Sequence, residues 1–130
     1  PNTRYLLAQP FLGDTARALE DRGARRIPAL YPLGVEGTTA WLRAAADVFA
    51  VAPAHFEAVT RPAAQRAEAA LARFRERLAG KRIFFFPDSQ LEPPLARFLS
   101  RELGLIPIEV GSPFLHRQHM AAELALLPAG

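Results

Sequence analysis

The sequence predicts an α/β fold in which parallel-sheet units are joined by a long helix, and three observations carry that reading. Short apolar segments alternate with stretches of helical periodicity, the pattern of parallel strands linked by crossover helices. The run Ile83–Phe86 is apolar at successive positions, without the alternation of a strand that is wet on one face. Between the two alternating stretches lies a charged helical segment with a narrow apolar stripe, suited to packing on one side only. The expected division is the end of one α/β unit at 1–52, a helical connector at 53–80 and the start of the next α/β unit at 81–130.

Each element has a local reason. "RYLLA" (4–8) reads as a short buried strand ended by "PFLGD". Asp14 is placed to cap the helix "TARALEDRG", Ala16 and Leu19 share its face, and Gly23 suits a left-handed C-terminal cap. "RIPALYPLG" is a second extended segment. Pro28 and Pro32 cannot donate to a ladder, so it is an edge strand or a short one. "VEGTTAWLRAAADVFAV" is a helix capped by Thr38 or Thr39, with Trp41, Leu42, Ala45, Val48 and Phe49 at helical spacing. "APAHFEAV" reads as a short helical turn with Pro53 near its start. "RPAAQRAEAALARFRERLAGKR" then gives the longest helix, its stripe Ala67, Leu71, Phe74 and Leu78 buried and Arg66, Arg73 and Arg77 outside. Gly80 stops it. "RIFFFP" is a strand expected to be covered on both faces. "PPLARFLSRELG" is the next helix, with proline in its first turn, Leu95, Phe98 and Leu99 toward the core, and Gly104 at its end. "LIPIEVG" is a strand, and "FLHRQHMAAELALL" starts as loop and ends as helix. The two halves thus read as Rossmann-like α/β units.

Composition narrows the function. With 130 residues, half of them hydrophobic and 22% charged, the chain is an ordinary globular sequence. It opens on Pro1 rather than Met, which predicts a segment of a longer polypeptide. No apolar run is long enough for a transmembrane helix, and no signal-peptide pattern opens the chain. There is no cysteine, which removes disulfides, thiolate catalysis and sulfur-ligated metal from these residues. The net charge is +3, and the basic residues are interleaved with acids rather than gathered in a stripe, so nucleic acid is not an expected partner.

In parallel α/β sheets, ligands collect outside the carboxyl ends of the strands. Three loops leave such ends: "QPFLGD", "PDSQLE" and "GSPFLH". Each joins polar groups to Pro, Phe or Leu, which suits a pocket for a flat, mostly apolar molecule with a few polar handles. The competing reading is purely structural: Ser89 or Asp88 caps a helix and Glu92 faces water.

Four stretches, in order and over nearly the whole chain, carry a resemblance: "LLAQPFLGDTARALEDRGA", "YPLGVEGTTAWL", "LAGKRIFFFPDSQLEPPLARFL" and "EVGSPFLHRQHMAAELALLP". They are similar to the N subunits of light-independent (dark-operative) protochlorophyllide reductases, a nitrogenase component 1-like family. "PLGVEGT" and "GKR" with its apolar run resemble the wider superfamily, and "PDSQLE" and "PFLHR" point to the N subunits within it. The resemblance implies a nitrogenase component 1 or chelatase-like architecture of three Rossmann-like domains, two of them bridged by a long helix. It implies a cytoplasmic bacterial oxidoreductase of (bacterio)chlorophyll biosynthesis that reduces the C17=C18 bond of ring D of protochlorophyllide. It also implies partners: the B-type catalytic subunit in a heterotetramer, and the L-type subunit, an iron–sulfur ATPase reductase that binds ATP-Mg and delivers electrons. A [4Fe-4S] cluster would be held by three cysteines of the N-type chain and an aspartate of its B-type partner. Those cysteines would lie outside this segment, which alone would bind no cluster and catalyse nothing. The residues implied as cavity wall are Gln9, Pro10, Phe11, Leu12, Ser89, Gln90, Leu91 and Phe114; nitrogenase relatives carry Arg, Ser and Gly in the equivalent loops.

Other constellations have bland readings beside sharp ones. Asp88 and Glu92 form a candidate carboxylate pair for proton transfer, against helix capping or solvent exposure. His116 and His119 could begin a metal site or ligate a porphyrin magnesium, against hydrogen bonding and packing. No residue is assigned as catalytic or as a resident metal ligand. "GVEGTT" lacks the Lys-Ser/Thr ending of a phosphate loop, and its glycines are read as the turn into a helix. Trp41 is read as core. The alternatives to the first reading are a chlorophyllide reductase subunit and a helix-linked two-lobed tetrapyrrole or metallophore receptor.

Overall fold

The computed structural model describes residues 2–127, so Pro1 and residues 128–130 of the expected last unit lie outside it. The order is β1 (Arg4–Tyr5), α1 (Gly13–Asp21), β2 (Arg25–Arg26), α2 (Gly34–Val48), α3 (Pro53–Leu78), β3 (Arg82–Phe85), α4 (Glu92–Arg101), β4 (Ile106–Val110) and α5 (Arg117–Leu124). β1 pairs with β2 and β3 with β4, both in parallel, as two separate two-stranded sheets. This is the α/β class, with one crossover helix in each pair.

The first pair is shorter than expected. The ladder is Arg4 with Arg25 and Tyr5 with Arg26, prolonged by the Ile27 N–H to the Tyr5 carbonyl at 2.8 Å. Beyond it Pro28 has no N–H, and Leu7 gives its carbonyl instead to the Trp41 indole N–H at 2.9 Å, which ties the end of β1 to α2. The "RYLLA" segment is half-buried rather than buried. Tyr5 donates to Glu20 at 2.6 Å; burial and that carboxylate push its phenol up to about 12. α1 begins one residue before Asp14, whose exposed carboxylate pairs with Arg17 at 3.6 Å, so Asp14 sits in the first turn and is not the cap. Gly23 (φ +86°) closes α1 in a Schellman motif, with its N–H on the Glu20 carbonyl and the Ala24 N–H on that of Leu19.

α2 also starts earlier than the threonines suggest. Thr38 and Thr39 lie inside it, and its first N–H groups are taken by a distant carboxylate. Glu102 accepts from Val35 at 2.7 Å and from Glu36 at 3.2 Å. A local hydroxyl cap is unnecessary where a charged acceptor already occupies the positive helix end. Gly34 (φ +70°) makes the turn, and a Cβ there would fall 2.3 Å from the Phe98 ring.

α3 is one helix of 26 residues, not a turn followed by a helix. Pro62 lies inside it and has no N–H to give the Ala58 carbonyl, but both residues are solvent-exposed, so water can take the donor's place. At about 1.5 Å per residue the helix runs on the order of 39 Å. Its anchor is Phe56, 5% exposed, with the Arg43 guanidinium 3.7 Å above the ring. The expected buried stripe is only partly covered: Leu71 and Leu78 are half-buried, whereas Ala67 and Phe74 are exposed, as are Arg66, Arg73 and Arg77.

β3 is not covered on both faces. Phe85 is buried, but Phe84 is 50% and Phe86 75% exposed, and on β4 Ile106 and Ile108 are exposed too. A two-stranded sheet with α4 against one face leaves the other open. A register shift between Ile83 and Phe84 marks a bulge.

The core joins the halves through buried charge. Arg97 and Glu123, both fully buried, pair at 2.5 Å. Arg97 also donates to the carbonyls of Tyr31 and Leu33, each at 3.1 Å, and Glu123 accepts the Tyr31 N–H at 2.7 Å. Leu95, Phe98 and Leu99, expected to face the core, are half-buried, and the buried residues of α4 are Glu92, Pro93, Pro94, Ala96 and Arg97. Gly37 permits this approach: a Cβ there would sit 2.3 Å from Arg97 and 2.4 Å from the Tyr31 carbonyl.

Candidate binding groove at the strand ends

Both sheets are parallel, so the loops after β1, β3 and β4 all leave carboxyl ends. They meet in a groove of about 180 Å³ whose walls include Pro10, Phe11, Asp14, Gln90, Phe114 and His116. Four of the eight sequence-derived residues, Pro10, Phe11, Gln90 and Phe114, therefore come together. Phe11 and Phe114 remain 45% and 60% exposed. Complete small-molecule pockets hold roughly 300–1,000 Å³, so this groove has the size of one wall of a site.

The other four stand elsewhere in the same loops. Gln9 is exposed. Leu12 serves the start of α1, its carbonyl accepting from Ala16 at 2.9 Å. Ser89 lends its hydroxyl to the Leu91 N–H at 3.4 Å, and Leu91 is the residue before α4, with its carbonyl on Leu95. Gln90 adopts φ +70°, a left-handed conformation that lets the loop turn back on itself.

Glu92 explains how so polar a loop holds its shape. It does not face water: it is 4% exposed, and its Oε1 accepts the N–H groups of Asp88 and Ser89, each at 2.7 Å. Burial pushes its carboxyl up, but those N–H groups together with its own hold it below the usual carboxylate range. No side chain caps α4; Glu92 in its first turn draws the preceding loop onto the helix start. The two carboxyls of the candidate pair stand in different settings: Asp88 is exposed, whereas Glu92 is buried and tied to the loop backbone.

His116 and His119 stack at 3.6 Å with 14° between their planes. His116 caps α5, its Nδ1 accepting the His119 N–H at 3.4 Å. His119 is buried; burial lowers its affinity for a proton, and Arg26 and His116 act in the same direction. No group of three or more His, Cys, Asp or Glu side chains among the described residues could hold a metal ion.

A wider groove of about 750 Å³ runs between α2, α3 and the end of α4. Four of its charged side chains are engaged: Arg101 holds Glu36 at 2.6–2.9 Å, Glu102 caps α2 and Arg43 pairs with Glu57, while Glu68 and Arg75 also line it. The Arg101 guanidinium keeps the Glu36 carboxyl below its ordinary range. None of the loops leaving a strand end reaches that groove.

Sequence reasoning missed Asp14 as a groove residue, weighed His116 only as a metal or magnesium ligand or a packing residue, and missed the buried knot of Arg97 and Glu123, which Glu102 approaches to 3.9 Å from Arg97. His116 was within reach, because it lies in the "GSPFLH" loop already singled out. Arg97 and Glu123 carry no local signal, since charged residues on short helices are ordinarily solvated.

Residues 3–129 match the family of nitrogenase component 1 type oxidoreductases. The chain is 68% identical over 130 residues to the light-independent protochlorophyllide reductase subunit N of Rhodopseudomonas palustris strain BisB5. It is 70% identical over 128 residues to the protein of the same name from strain BisB18, and 68% over 130 residues to that of Bradyrhizobium sp. strain BTAi1. These alignments cover 98–100% of this chain and 30% of each relative, so the chain spans about a third of their length. A family match that begins at the third residue and takes in both parallel strand pairs, the long helix and all three strand-end loops leaves one conclusion: the chain belongs to the nitrogenase component 1 type oxidoreductases.

Proposed function

We propose that this chain is part of the N subunit of a light-independent protochlorophyllide reductase, and that its strand-end loops form one wall of the pigment site. The likeness to proteins of that name, 64–70% identity over alignments that cover 98–100% of this chain, carries the reading. The reaction is reduction of the C17=C18 bond of ring D, giving chlorophyllide. In this reading a B-type catalytic subunit completes a heterotetramer. An ATP-hydrolysing iron–sulfur reductase, the L-type subunit, supplies electrons in the bacterial cytoplasm. The 1–52 and 81–130 stretches are parts of two Rossmann-like domains, with 53–80 as their helical bridge.

A [4Fe-4S] cluster in the assembly would relay those electrons, but this chain does not fit its ligation. It has no cysteine, so thiolates for a cluster have to come from the remainder of the N-type polypeptide. What its own residues supply is surface. Phe11 and Phe114 offer aromatic area to a macrocycle, and the Glu92-tied loop holds Gln90 beside them. Exposed aromatic area in a groove is what a flat apolar ligand requires, and a metal cluster rich in anionic sulfur does not.

The test uses the full-length N subunit assembled with its partners. Protochlorophyllide reduction and pigment affinity are followed by absorbance, with chlorophyllide as the competing substrate. Phe11→Asp places a charge against an apolar plane and is expected to weaken protochlorophyllide binding at least tenfold while assembly persists. Unchanged affinity, or turnover of chlorophyllide in place of protochlorophyllide, refutes the proposal.

A further inference from the structure

The groove contains two side chains to which the family reading gives no task, Asp14 and His116, and His116 is the one held by its neighbours. Two contacts set its ring. Nδ1 accepts the His119 N–H at 3.4 Å as the longer branch of a bond that N–H shares with the His116 carbonyl at 2.9 Å, and the ring face stacks on His119 at 3.6 Å. A neutral imidazole that accepts at Nδ1 carries its proton on Nε2. The free edge of His116 is thus an N–H donor without a lone pair. It cannot ligate a metal ion unless it gives up the cap. Phe114 approaches the same ring edge-on, with centroids 6.5 Å apart, so the donor emerges beside an exposed aromatic face.

The surrounding charge decides what the donor meets. Among the described residues the walls contain no Lys or Arg; Asp14 lies among them with its carboxylate almost fully exposed, and the Arg17 guanidinium that meets it at 3.6 Å is itself in solvent, where an ion pair is screened. An anionic group on the ligand would sit against that carboxylate, whereas a neutral oxygen would not. We propose that His116 Nε2–H donates a hydrogen bond to an uncharged carbonyl oxygen on the edge of the flat ligand in this groove. The inference rests on the pigment-site reading above and adds a specificity contact to it. The ketone or ester carbonyl of a protochlorophyllide-type macrocycle is the acceptor class, and its central magnesium is not the target.

The experiment titrates protochlorophyllide, and its magnesium-free form, into the assembled full-length complex. His116→Asn retains a cap but is too short to reach the ligand; His116→Phe retains the flat ring but has no donor; His116→Gln retains a donor with reach. Asn and Phe are expected to weaken binding by about five- to tenfold, and Gln to stay within about twofold of wild type. The same penalties are expected for the magnesium-free pigment. Wild-type affinity in His116→Asn would show that His116 is only a cap. A penalty that disappears without magnesium would make it a metal ligand. Either result overturns the donor role while leaving the groove intact, provided Phe11→Asp still impairs binding. If Phe11→Asp and all three His116 variants bind normally, the pigment-site reading falls, and the donor falls with it.

Discussion

The interior knot and the surface groove reverse the usual placement of polar and apolar groups. At the knot, Arg97 and Glu123 are fully buried and spend their hydrogen bonds on one another and on the backbone of Tyr31 and Leu33. At the groove, Phe11 and Phe114 are exposed, while the Phe114 carbonyl takes the Ser112 hydroxyl and the neighbouring Gln90 loop is tied down by Glu92. Buried charge partnered at short range, with Arg97 Nη1 left only longer contacts to Glu36 and Glu102 at 3.6 and 3.9 Å, is a device for fixing one arrangement of elements far apart in sequence. Exposed aromatic surface adds nothing to folding and gains energy only when something covers it. Changes at the knot should therefore register as stability, and changes at the groove as binding.

Arg97→Met separates the two regions most sharply. It leaves Glu123 buried with only the Tyr31 N–H and is expected to cost about 3–5 kcal/mol, read as a fall in the unfolding midpoint of the full-length protein. Arg97→Met with Glu123→Leu should recover most of that loss, because the uncompensated charge is gone. If the single variant costs less than about 1 kcal/mol, the knot is not what holds the halves together.

Gly37→Ala comes next. Its added methyl would lie 2.3 Å from Arg97 and 2.4 Å from the Tyr31 carbonyl, so α2 has to shift against the segment that precedes it as well as against Arg97. Overpacking of this kind costs about 1–3 kcal/mol. Combined with Arg97→Met it should cost less than the sum of the two, since the truncated side chain vacates one of the clashing positions.

These residues also mark how far the sequence could be read. Alternation of apolar runs and helical periods was enough for the α/β class and both crossovers. Gly23, Gly80 and Gly104 were legible as turns because a positive φ is a local demand, and all three have one. Thr38 reads as a cap only because the actual acceptor, Glu102, lies 67 residues from Val35 in the chain. The burial expected for Phe84 failed for a related reason: covering a second face takes another layer, which no window of ten residues can report. The division read between "APAHFEAV" and "RPAAQRAEAALARFRERLAGKR" failed because the missing N–H of Pro62 is cheap at a solvated face, so α3 continues through it. In the groove, the loops were legible from the rule for parallel strand ends, but which side chains turn inward depends on the Glu92 ties and on the left-handed Gln90, neither of which has a sequence signature.

Acid should reach the knot's neighbourhood through His119. Its affinity for a proton is lowered in the folded chain, chiefly by burial, with Arg26 and His116 adding to the effect and Glu20 opposing it. The unfolded chain then takes up the proton more readily, so the contribution of the neutral ring is fully present above the ordinary value of 6.5 and is lost as pH falls toward the folded value. Glu92 and Glu36, both held below 4.5, lose their contributions only at lower pH. Between about pH 7 and about pH 5 the wild-type midpoint should fall more than that of His119→Gln. Parallel profiles for the two would remove His119 as the group responsible.

The smallest effect on stability should come from Phe114→Ala, and there the comparison can be broken most cheaply. The side chain is 60% exposed, and its edge contact with His116 is 6.5 Å between centroids. The Ser112 hydroxyl donates to the Phe114 backbone carbonyl at 3.1 Å, and that bond survives truncation of the ring. The unfolding midpoint should therefore stay within the equivalent of about 0.5 kcal/mol. If the ring is the platform for a macrocycle, pigment affinity should nevertheless fall about tenfold, because burying an aromatic face removes a large apolar area from water. A large stability loss would mean that Phe114 is core disguised by exposure. Unchanged stability with unchanged affinity would mean that the apolar surface beside His116 serves some other contact of the assembled enzyme.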